Sequence, residues 1–594
     1  MSWNNRTRIK PGDQAILKLP SGLLKPIEIK PNTIISIGKF GSFHTNSLIG
    51  RPFWRTYDIL DLKDGEKHAR LRVVPASDLN SETLSVDNTP QDDAPVKEDA
   101  EAAASANEKF DIVGEDGSII MRNNRLTVDD TSRQALTMTE IEELKNAGTG
   151  SGKEVIAKIM AAHSALGEKT EFSLAKYTLR KSKKFLKRFT VLPMEVGTVA
   201  EYIMDKDSSR IMELRPESLG LVASWSNAHH AGNLDQVEGN PTQGRYMVVD
   251  DTGGLLVATL AERMGILYPP ASEKEPTEQP DPDTNQDDDA MPDQVESTTD
   301  AHSGPSRPNP KDTYQAATSN TITVIHPHTQ PNLSLLRYFG YILEDTSSSS
   351  HPLYSHLHNI TWLQLLDPSA DTVYSNPPPA VDADTLASWK PSKRGQHFRK
   401  LRRHTRTQRV ADTTRAGGFD SLVVASFMQP ASVLRHLVPL VKGGGQIVVY
   451  SPSIEPLTEL MDYYSRERRG AYMKMMQERV ATGLDVETCM DDEEEDFPVN
   501  PTLLLNPMLQ TSRVVEWQVL PGRTHPLMTS RGGPEGYVFS ATRVLPAIGK
   551  VNAKGNFSKK RKAEETVSES PKKLRVEHVE QTKETAATVV GADA

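Results

Sequence analysis

Short runs of apolar and β-branched residues, separated by Pro and Gly, characterise the first 80 residues of the chain. QAILKLP, LKPIEIK and TIISIG, all between residues 14 and 38, have the length and composition of β-strands. KFDIVGEDGSIIMRNN (109–124) predicts a further hairpin around an Asp-Gly turn. The pattern therefore predicts a small β-barrel-like domain over residues 1–132, interrupted by a disordered insertion at 81–108.

Helical periodicity replaces this pattern between residues 133 and 190. TMTEIEELKNAG predicts a helix with Thr139 as its N-cap and Gly148 as its stop. GKEVIAKIMAAHSAL follows with apolar residues at helical spacing. We expect this region to be a helical linker.

Strand and helix patterns alternate over residues 191–550. The predicted strands are RYMVVDD, TITVIHP, FDSLVVASF, QIVVYSPS, VVEWQVLP and GYVFSATRVLP, and the predicted helices include GLLVATLAERMG, NLSLLRYFGYIL, ASVLRHLVPLVKGGG and TELMDYYSRERRGAYMKMMQERV. Near-continuous apolar strands between helices indicate a doubly wound, largely parallel sheet, the plan of Rossmann-like methyltransferases. The last two strands are expected to form an antiparallel pair at one edge. Insertions are expected at 271–315, 380–412 and 485–497, and a disordered tail at 551–594.

Composition and charge exclude several classes of protein and predict the charge of the folded part. The single cysteine, Cys489, excludes a disulfide scaffold and any Cys-based zinc site, and the histidines show no metal-ligand spacing. No apolar run is long enough to span a membrane, so we expect a soluble intracellular protein. The net charge of −10 comes from acidic stretches: residues 81–110, 271–300 and 485–496 carry −6, −10 and −8, which leaves +14 on the remainder. The folded part is therefore predicted to be basic, as nucleic-acid-binding proteins are.

A glycine-containing turn, VVDDTGGLL, lies between the first predicted strand of the sheet and the following helix. Methyltransferases of this plan carry a carboxylate followed by G-x-G-x-G at this place. Here the carboxylate is Asp250 and the three glycine positions are Thr252, Gly254 and Leu256. Only one of the three is glycine, and Leu256 is expected to point toward the ligand space. We interpret the turn as a degenerate site that binds no cofactor, and as an ordinary strand-to-helix turn.

The end of the strand FDSLVVASF is the second place where a methyltransferase of this plan can be recognised. Base-modifying methyltransferases need a polar or acidic group there to hold the target base. The chain offers Ala425, Ser426, Phe427 and Met428, and the nearest acid, Asp420, is expected at the opposite end of the strand. The sequence therefore predicts no catalytic residue in this chain.

The run AKYTLRKSKKFLKRF (175–189) combines basic and aromatic residues without any acid. On a helix its cations share one face at a spacing suited to successive phosphates. A solvated basic surface is the alternative, but no acid stands four residues away to compensate the charge. We favour nucleic-acid binding by Lys176, Arg180, Lys181, Lys183, Lys184, Lys187 and Arg188.

Two further basic segments lie toward the C-terminus. SWKPSKRGQHFRKLRRHTRTQRV (388–410) is either an arginine-rich RNA-binding segment or a disordered insertion or localisation signal. In the tail, two clusters have the spacing of a bipartite nuclear localisation signal: Lys559, Lys560, Arg561 and Lys562, then Lys572, Lys573 and Arg575. A nuclear location is expected.

Several long strings resemble one family, the non-catalytic subunit of the eukaryotic tRNA adenine-58 N1-methyltransferase. They are HTNSLIGRPF (44–53), QALTMTEIEELK (134–145), FSLAKYTLRKSKKFLKRFTVLP (172–193), GGLLVATLAERMG (253–265) and VLPGRTHPLMTSRGGPEGYVFSATRV (519–544). The acidic insertions, the 388–410 run and the tail lie outside the resemblance.

The resemblance implies an N-terminal β-barrel, a helical linker and a methyltransferase fold without a working S-adenosylmethionine site. It also implies a catalytic partner subunit that binds S-adenosylmethionine, in a heterotetramer with two copies of each chain. The tRNA contacts it implies fall on the basic run and on Arg523 and His525 of RTHP, where a purely structural turn is the alternative. The competing hypotheses are an active S-adenosylmethionine-dependent RNA methyltransferase with an atypical cofactor loop and a scaffold that touches no RNA.

Overall fold

The computed structural model describes residues 7–60, 68–79, 112–113, 119–121, 134–146, 152–164, 171–229, 244–268, 320–343, 351–481, 496–520, 523–527 and 535–545. The predicted insertions 81–108 and 271–315, nearly all of 485–497, and the tail with its two basic clusters lie outside the described residues. None of the described helices is long and apolar enough to cross a membrane.

The strands in these residues form one N-terminal sheet, one large central sheet and three hairpins. They are β1 (Gln14–Lys18), β2 (Leu24–Glu28), β3 (Ile34–Ser36), β4 (Ser42–His44), β5 (Thr56–Ile59), β6 (Leu71–Val73), β7 (Ile112–Val113), β8 (Ile119–Met121), β9 (Arg188–Pro193), β10 (Arg245–Asp250), β11 (Thr321–His326), β12 (Leu357–Thr361), β13 (Phe419–Ala425), β14 (Val441–Ser451), β15 (Leu504–Gln510), β16 (Trp517–Leu520), β17 (Arg523–Pro526) and β18 (Tyr537–Arg543).

The helices fill the linker and cover the central sheet. They are α1 (Met138–Asn146), α2 (Lys153–Ala161), α3 (Glu171–Phe185), α4 (Val196–Asp207), α5 (Pro216–Trp225), α6 (Leu255–Met264), α7 (Leu353–His356), α8 (Trp362–Leu366), α9 (Thr372–Ser375), α10 (Ala383–Ser388), α11 (Pro391–Arg415), α12 (Pro430–Leu437), α13 (Glu455–Tyr463) and α14 (Arg466–Ala481).

The N-terminal sheet has five antiparallel strands in the order β2-β1-β9-β5-β6. Stacked rings hold its core, since the Phe43 and Tyr57 rings lie 4.9 Å and 5.6 Å from that of Phe189. Because β9 follows the helical linker in the chain, the predicted domain boundary after residue 190 falls inside a strand of this sheet. The predicted hairpin around the Asp-Gly turn is confirmed by the pairing of β7 with β8. Closure of the five strands into a barrel stays a prediction.

The linker helix α1 begins with a capping box whose first residue is Thr137. The Thr137 hydroxyl accepts a hydrogen bond from the Glu140 amide (3.3 Å), and the Glu140 carboxylate accepts one from the Thr137 amide (2.7 Å). The prediction of Thr139 as the cap was wrong, because the helix already begins at Met138.

The central sheet has seven strands in the order β12-β11-β10-β13-β14-β18-β15. The first five are parallel, and β18 runs antiparallel between β14 and β15. Side chains of β10 alternate between two cores: Val248 packs with residues of α4, α5 and α6, and Val249 with residues of α12 and α13 on the other face. This arrangement confirms the predicted Rossmann-like methyltransferase plan.

The prediction for the edge of this sheet was wrong in one strand. The segment VVEWQVLP was expected to pair with GYVFSATRVLP, but its strand β16 pairs with β17, the RTHP segment, in a separate hairpin. The antiparallel partner of β18 at the edge is β15, which was not predicted. Its sequence, LLNPMLQ, is interrupted by Asn506 with a positive φ of 55° and by a register shift, and these hide the strand pattern.

Two helix predictions and the interpretation of one basic segment also change. The segment NLSLLRYFGYIL forms only a 3₁₀ turn at Ser334–Phe339, and the long run from residue 458 to 480 divides into α13 and α14. The basic run 388–410 lies largely within α11, a helix of 25 residues, so a disordered insertion is the wrong interpretation for it.

Candidate nucleic-acid interface

The basic run at 175–189 begins on α3, and helical periodicity divides its residues between two faces of the helix. Ala175 and Phe185 are buried, whereas Lys176, Arg180, Lys183 and Lys184 are exposed. Phe185 packs with apolar side chains of α2 and anchors the C-terminal end of the helix. The exposed cations therefore project from a helix whose opposite face is fixed to the linker.

The hairpin formed by β16 and β17 packs beside this helix and completes a groove. The rings of Phe172 and His525 lie 6.0 Å apart in an edge-to-face arrangement, and Gln518 pairs with His525 across the hairpin. The cavity between helix and hairpin has a volume of about 610 Å³. We call it the basic groove, and its polar and aromatic lining consists of Phe172, Lys176, Arg180, Lys183, Gln518 and His525.

The groove unites two predictions that stand more than 300 residues apart in the chain. Lys176, Arg180 and Lys183 come from the basic run, and His525 comes from RTHP. Lys181 and Lys184 lie elsewhere on the helix: the Lys181 ammonium is 4.9 Å from the centre of the Tyr177 ring, and that of Lys184 is 5.4 Å from the Phe185 ring. The side chain of Arg523 lies outside the described residues.

Positive charge is concentrated on α3 without local compensation. Among the described residues, no carboxylate forms an ion pair with the five cations between Lys176 and Lys184. Burial, and after it the charges of Lys184 and Arg180, lowers the pKa of Lys181. A surface with such uncompensated positive charge attracts phosphate groups.

Arg188 does not belong to this surface, so its prediction as a nucleic-acid contact was wrong. The helix ends at Phe185, and Arg188 begins β9 with only 7% of its surface exposed. Its Nε donates to Oδ1 of the fully buried Asp58 (2.7 Å), directly opposite on β5. Lys187 lies between the helix and the strand and is half-buried. The alternating pattern RFTVLP marks the strand, but the charge run conceals where it begins.

The predicted degenerate cofactor turn links β10 to α6. Asp250 is buried and binds the turn itself: its carboxylate accepts hydrogen bonds from the Thr252 amide (2.7 Å), the Thr252 hydroxyl (2.6 Å) and the Val257 amide (3.1 Å). Burial raises the pKa of Asp250, and these hydrogen bonds oppose the shift. The carboxylate is therefore engaged in holding the turn.

A neighbouring segment packs directly on the two glycines of this turn. Gly253 and Gly254 have φ of 73° and 93°, and the Gly253 carbonyl accepts a hydrogen bond from the Leu335 amide (3.0 Å). A Cβ at Gly254 would lie 3.1 Å from Cα of Leu333. Glycines at such a turn allow a ligand to approach the backbone; here the chain itself makes that approach. Leu256, which we expected to point toward a ligand, is fully buried in the apolar core.

A carboxylate does lie at the end of β13, but it comes from the neighbouring strand. Asp251 follows β10, and its Oδ2 accepts hydrogen bonds from the Ser426 hydroxyl (2.6 Å) and the Phe427 amide (2.9 Å). This carboxylate was not predicted, although the carboxyl ends of adjacent parallel strands meet at the same edge of a sheet. Asp251 thus fixes the strand-end loop, and the Phe427 side chain remains 73% exposed. As predicted, Asp420 lies at the opposite end, where it accepts from the Arg245 amide (2.7 Å).

The comparisons with known proteins agree on one family. The Gcd10p family matches residues 8–390. A protein of Aspergillus fumigatus, named tRNA (adenine(58)-N(1))-methyltransferase non-catalytic subunit trm6, is 45% identical over 93% of this chain and 95% of its own length. A protein of the same name from Schizosaccharomyces pombe is 25% identical over 95% of this chain and 98% of its own. One from Dictyostelium discoideum is 20% identical over 91% of this chain and 80% of its own. The family match spans well over half of the residues, and the chain belongs to the Gcd10p family.

Proposed function

We propose that this chain is the non-catalytic subunit of a tRNA (adenine-58-N1)-methyltransferase. It holds tRNA, and a separate catalytic subunit binds S-adenosylmethionine and carries out the methyl transfer. The observation that carries the proposal is the contact of Leu333 and Leu335 with the glycine turn of a methyltransferase sheet. The fold of the enzyme is retained while its usual cofactor turn is packed against the chain's own apolar residues. The names of the curated relatives support the same conclusion.

The basic groove supports the part of the proposal that concerns tRNA. Its three cations and its aromatic residues are suited to phosphates and to an exposed base or ribose face. His525 and Gln518 add hydrogen-bonding groups on the opposite wall. The groove would orient tRNA so that the target adenine reaches the active site of the catalytic subunit.

Titration with S-adenosylmethionine separates this proposal from an active methyltransferase with an atypical cofactor loop. The full chain alone is expected to give no binding heat in calorimetry, because Leu333 and Leu335 cover the turn. The complex of the chain with its catalytic subunit is the positive control and should bind with micromolar affinity or better. Saturable binding by the isolated chain would instead support the active methyltransferase.

We also propose a heterotetramer with two copies of each subunit, and an N-terminal sheet that closes into a small barrel. Both follow from the family resemblance that the five segments between residues 44 and 544 carry. The mass of the complex purified with its catalytic partner tests the stoichiometry; a mass that fits one copy of each subunit contradicts it.

Nuclear localisation completes the proposal and rests on the two basic clusters at 559–562 and 571–575. A fluorescent fusion of the full chain is expected to accumulate in the nucleus. Alanine at all seven Lys and Arg positions of the clusters should shift it to the cytoplasm. An unchanged distribution would show that these clusters do not direct the protein.

A further inference from the structure

The helix α11 carries the second large concentration of positive charge, and the proposed function leaves it without a role. Its 25 residues span about 37 Å. Nine of them are Lys or Arg, and the one acid, Asp412, stands near the C-terminal end. Residues 391–409 are all exposed or half-buried, so most of the helix lies on the protein surface.

The C-terminal part of α11 is buried against the central sheet, and His404 and His397 hold its middle turns to the Tyr374 and Pro379 carbonyls (3.2 Å each). Val410, Ala411 and Thr414 are buried there. The Tyr374 hydroxyl donates to the Asp412 carboxylate (2.7 Å), and the Arg245 guanidinium donates to the Thr413 carbonyl (2.8 Å). These contacts fix the direction in which the remaining turns run.

One stripe of the helix changes character along its length. Thr414 and Val410 are buried, and the positions that continue the stripe toward the N-terminus at helical spacing are Arg406, Arg403 and Arg399, all exposed. A helix that covers an apolar partner keeps an apolar stripe. Here the stripe becomes cationic where it is exposed to solvent, which fits an anionic partner.

Within the helix, like charges stand next to each other without compensation. Arg399 and Arg403, and likewise Arg402 and Arg406, are four residues apart, a spacing at which equal charges repel. In the part of the chain that the structure describes, none of these four arginines forms an ion pair with a carboxylate. The positive charge of the helix also acts on a residue of the sheet. Burial, and after it the charges of Arg406 and Arg409, lowers the pKa of His358 on β12 to about 4.

The chemistry of the helix favours phosphate over a protein surface. Arginine predominates over lysine, and its planar fork binds phosphate oxygens in pairs. Protein interfaces rely on clusters of aromatic or aliphatic anchors; between residues 391 and 409 only Phe398 and Leu401 are large and apolar, against eight Lys and Arg.

The helix α11 lies in a different part of the fold from the basic groove. It packs beside β12, at one edge of the seven-stranded sheet, while the hairpin of the groove continues from β15 at the other edge. Six strand spacings of about 4.8 Å separate these edges, roughly 29 Å.

We propose that α11 is a second RNA-binding element, which binds the phosphate backbone of the same tRNA through Arg399, Arg402, Arg403 and Arg406. This inference rests on the proposed function and adds a contact on the opposite edge of the sheet.

The test replaces Arg399 and Arg403 with glutamine in the full chain bound to its catalytic subunit. The affinity for tRNA is expected to fall about 10-fold at 0.1 M salt, and the slope of log K against log salt should decrease by about 1 to 2. Glutamine keeps a high helix propensity and removes the repulsion between the two arginines, so the thermal midpoint should not fall. The matched control, Arg399→Lys with Arg403→Lys, keeps the charge and should keep the salt slope.

A groove variant, Lys176→Glu with Lys183→Glu, makes the outcomes distinguishable. Loss of affinity in that variant alone would overturn the role of α11 and leave the proposed function standing, whereas unchanged affinity in both variants would overturn α11 and the basic groove alike as tRNA contacts. If the glutamine variant instead releases the catalytic subunit and still binds tRNA with an unchanged slope, α11 binds protein and the inference fails. A rise in tRNA affinity would show that an acidic segment of the chain binds the arginines of α11. That result would also overturn the proposal that α11 binds tRNA.

Discussion

Replacing Lys176 and Lys183 with glutamate is expected to lower the affinity of the full chain for tRNA by about 50-fold at 0.1 M salt. Each phosphate contact contributes about 0.9 to the slope of log K against log salt, so the loss of two contacts removes close to two units of slope. Both lysines line the basic groove, and neither forms an ion pair with a described carboxylate. Titration of labelled tRNA at four salt concentrations measures both quantities.

The same helix supplies the control for this experiment. Lys181→Glu with Lys184→Glu makes an identical change in net charge, but these lysines lie over the Tyr177 and Phe185 rings and do not line the groove. We expect about a 3-fold loss of affinity with little change in slope. Equal losses in the two pairs would mean that tRNA senses only the general field of the helix. Unchanged affinity in both would remove the RNA-binding role of α3.

Much of the central fold could be predicted because buried parallel strands are marked by continuous apolar runs. RYMVVDD, TITVIHP and FDSLVVASF each became a parallel strand of the sheet, as predicted. The errors arose where the local signal was weak or mixed. β15 contains a register shift at Asn506, and β16 has an alternating pattern that suits a hairpin as well as a sheet edge.

The basic groove could be predicted only in its parts. Charge and spacing marked Lys176, Arg180 and Lys183, and the family resemblance marked His525, but no sequence pattern indicates that β17 packs beside α3. That contact is tertiary and depends on how the linker and the central sheet assemble. The opposite error concerns Arg188: the charge run continues into β9, and only the pairing of β9 with β5 brings it against Asp58.

The largest effect on stability is expected from the ion pair that this pairing creates. Asp58→Ala removes the carboxylate that the buried Arg188 guanidinium binds and should lower the free energy of unfolding by about 3–5 kcal/mol. The loss is a large fraction of the 5–15 kcal/mol that stabilises a typical protein. A shift of the urea midpoint at unchanged m-value measures it. Arg72, which also contacts Asp58 (3.0 Å) but keeps half of its side chain exposed, is the control; Arg72→Ala should cost less than about 1 kcal/mol.

A double variant decides whether Arg188 acts in stability or in RNA binding. Asp58→Leu with Arg188→Met replaces the buried pair by apolar side chains, which in proteins is often neutral or stabilising. We expect it to recover most of the stability lost in Asp58→Ala and to bind tRNA with the affinity and salt slope of the unmodified chain. A normal stability combined with a weaker salt slope would return Arg188 to the RNA-binding surface. A third outcome is an unfolding free energy as low as that of Asp58→Ala. It would mean that apolar side chains cannot replace the ion pair, and that the hydrogen bond between Arg188 and Asp58 is needed to hold β5 and β9 in register.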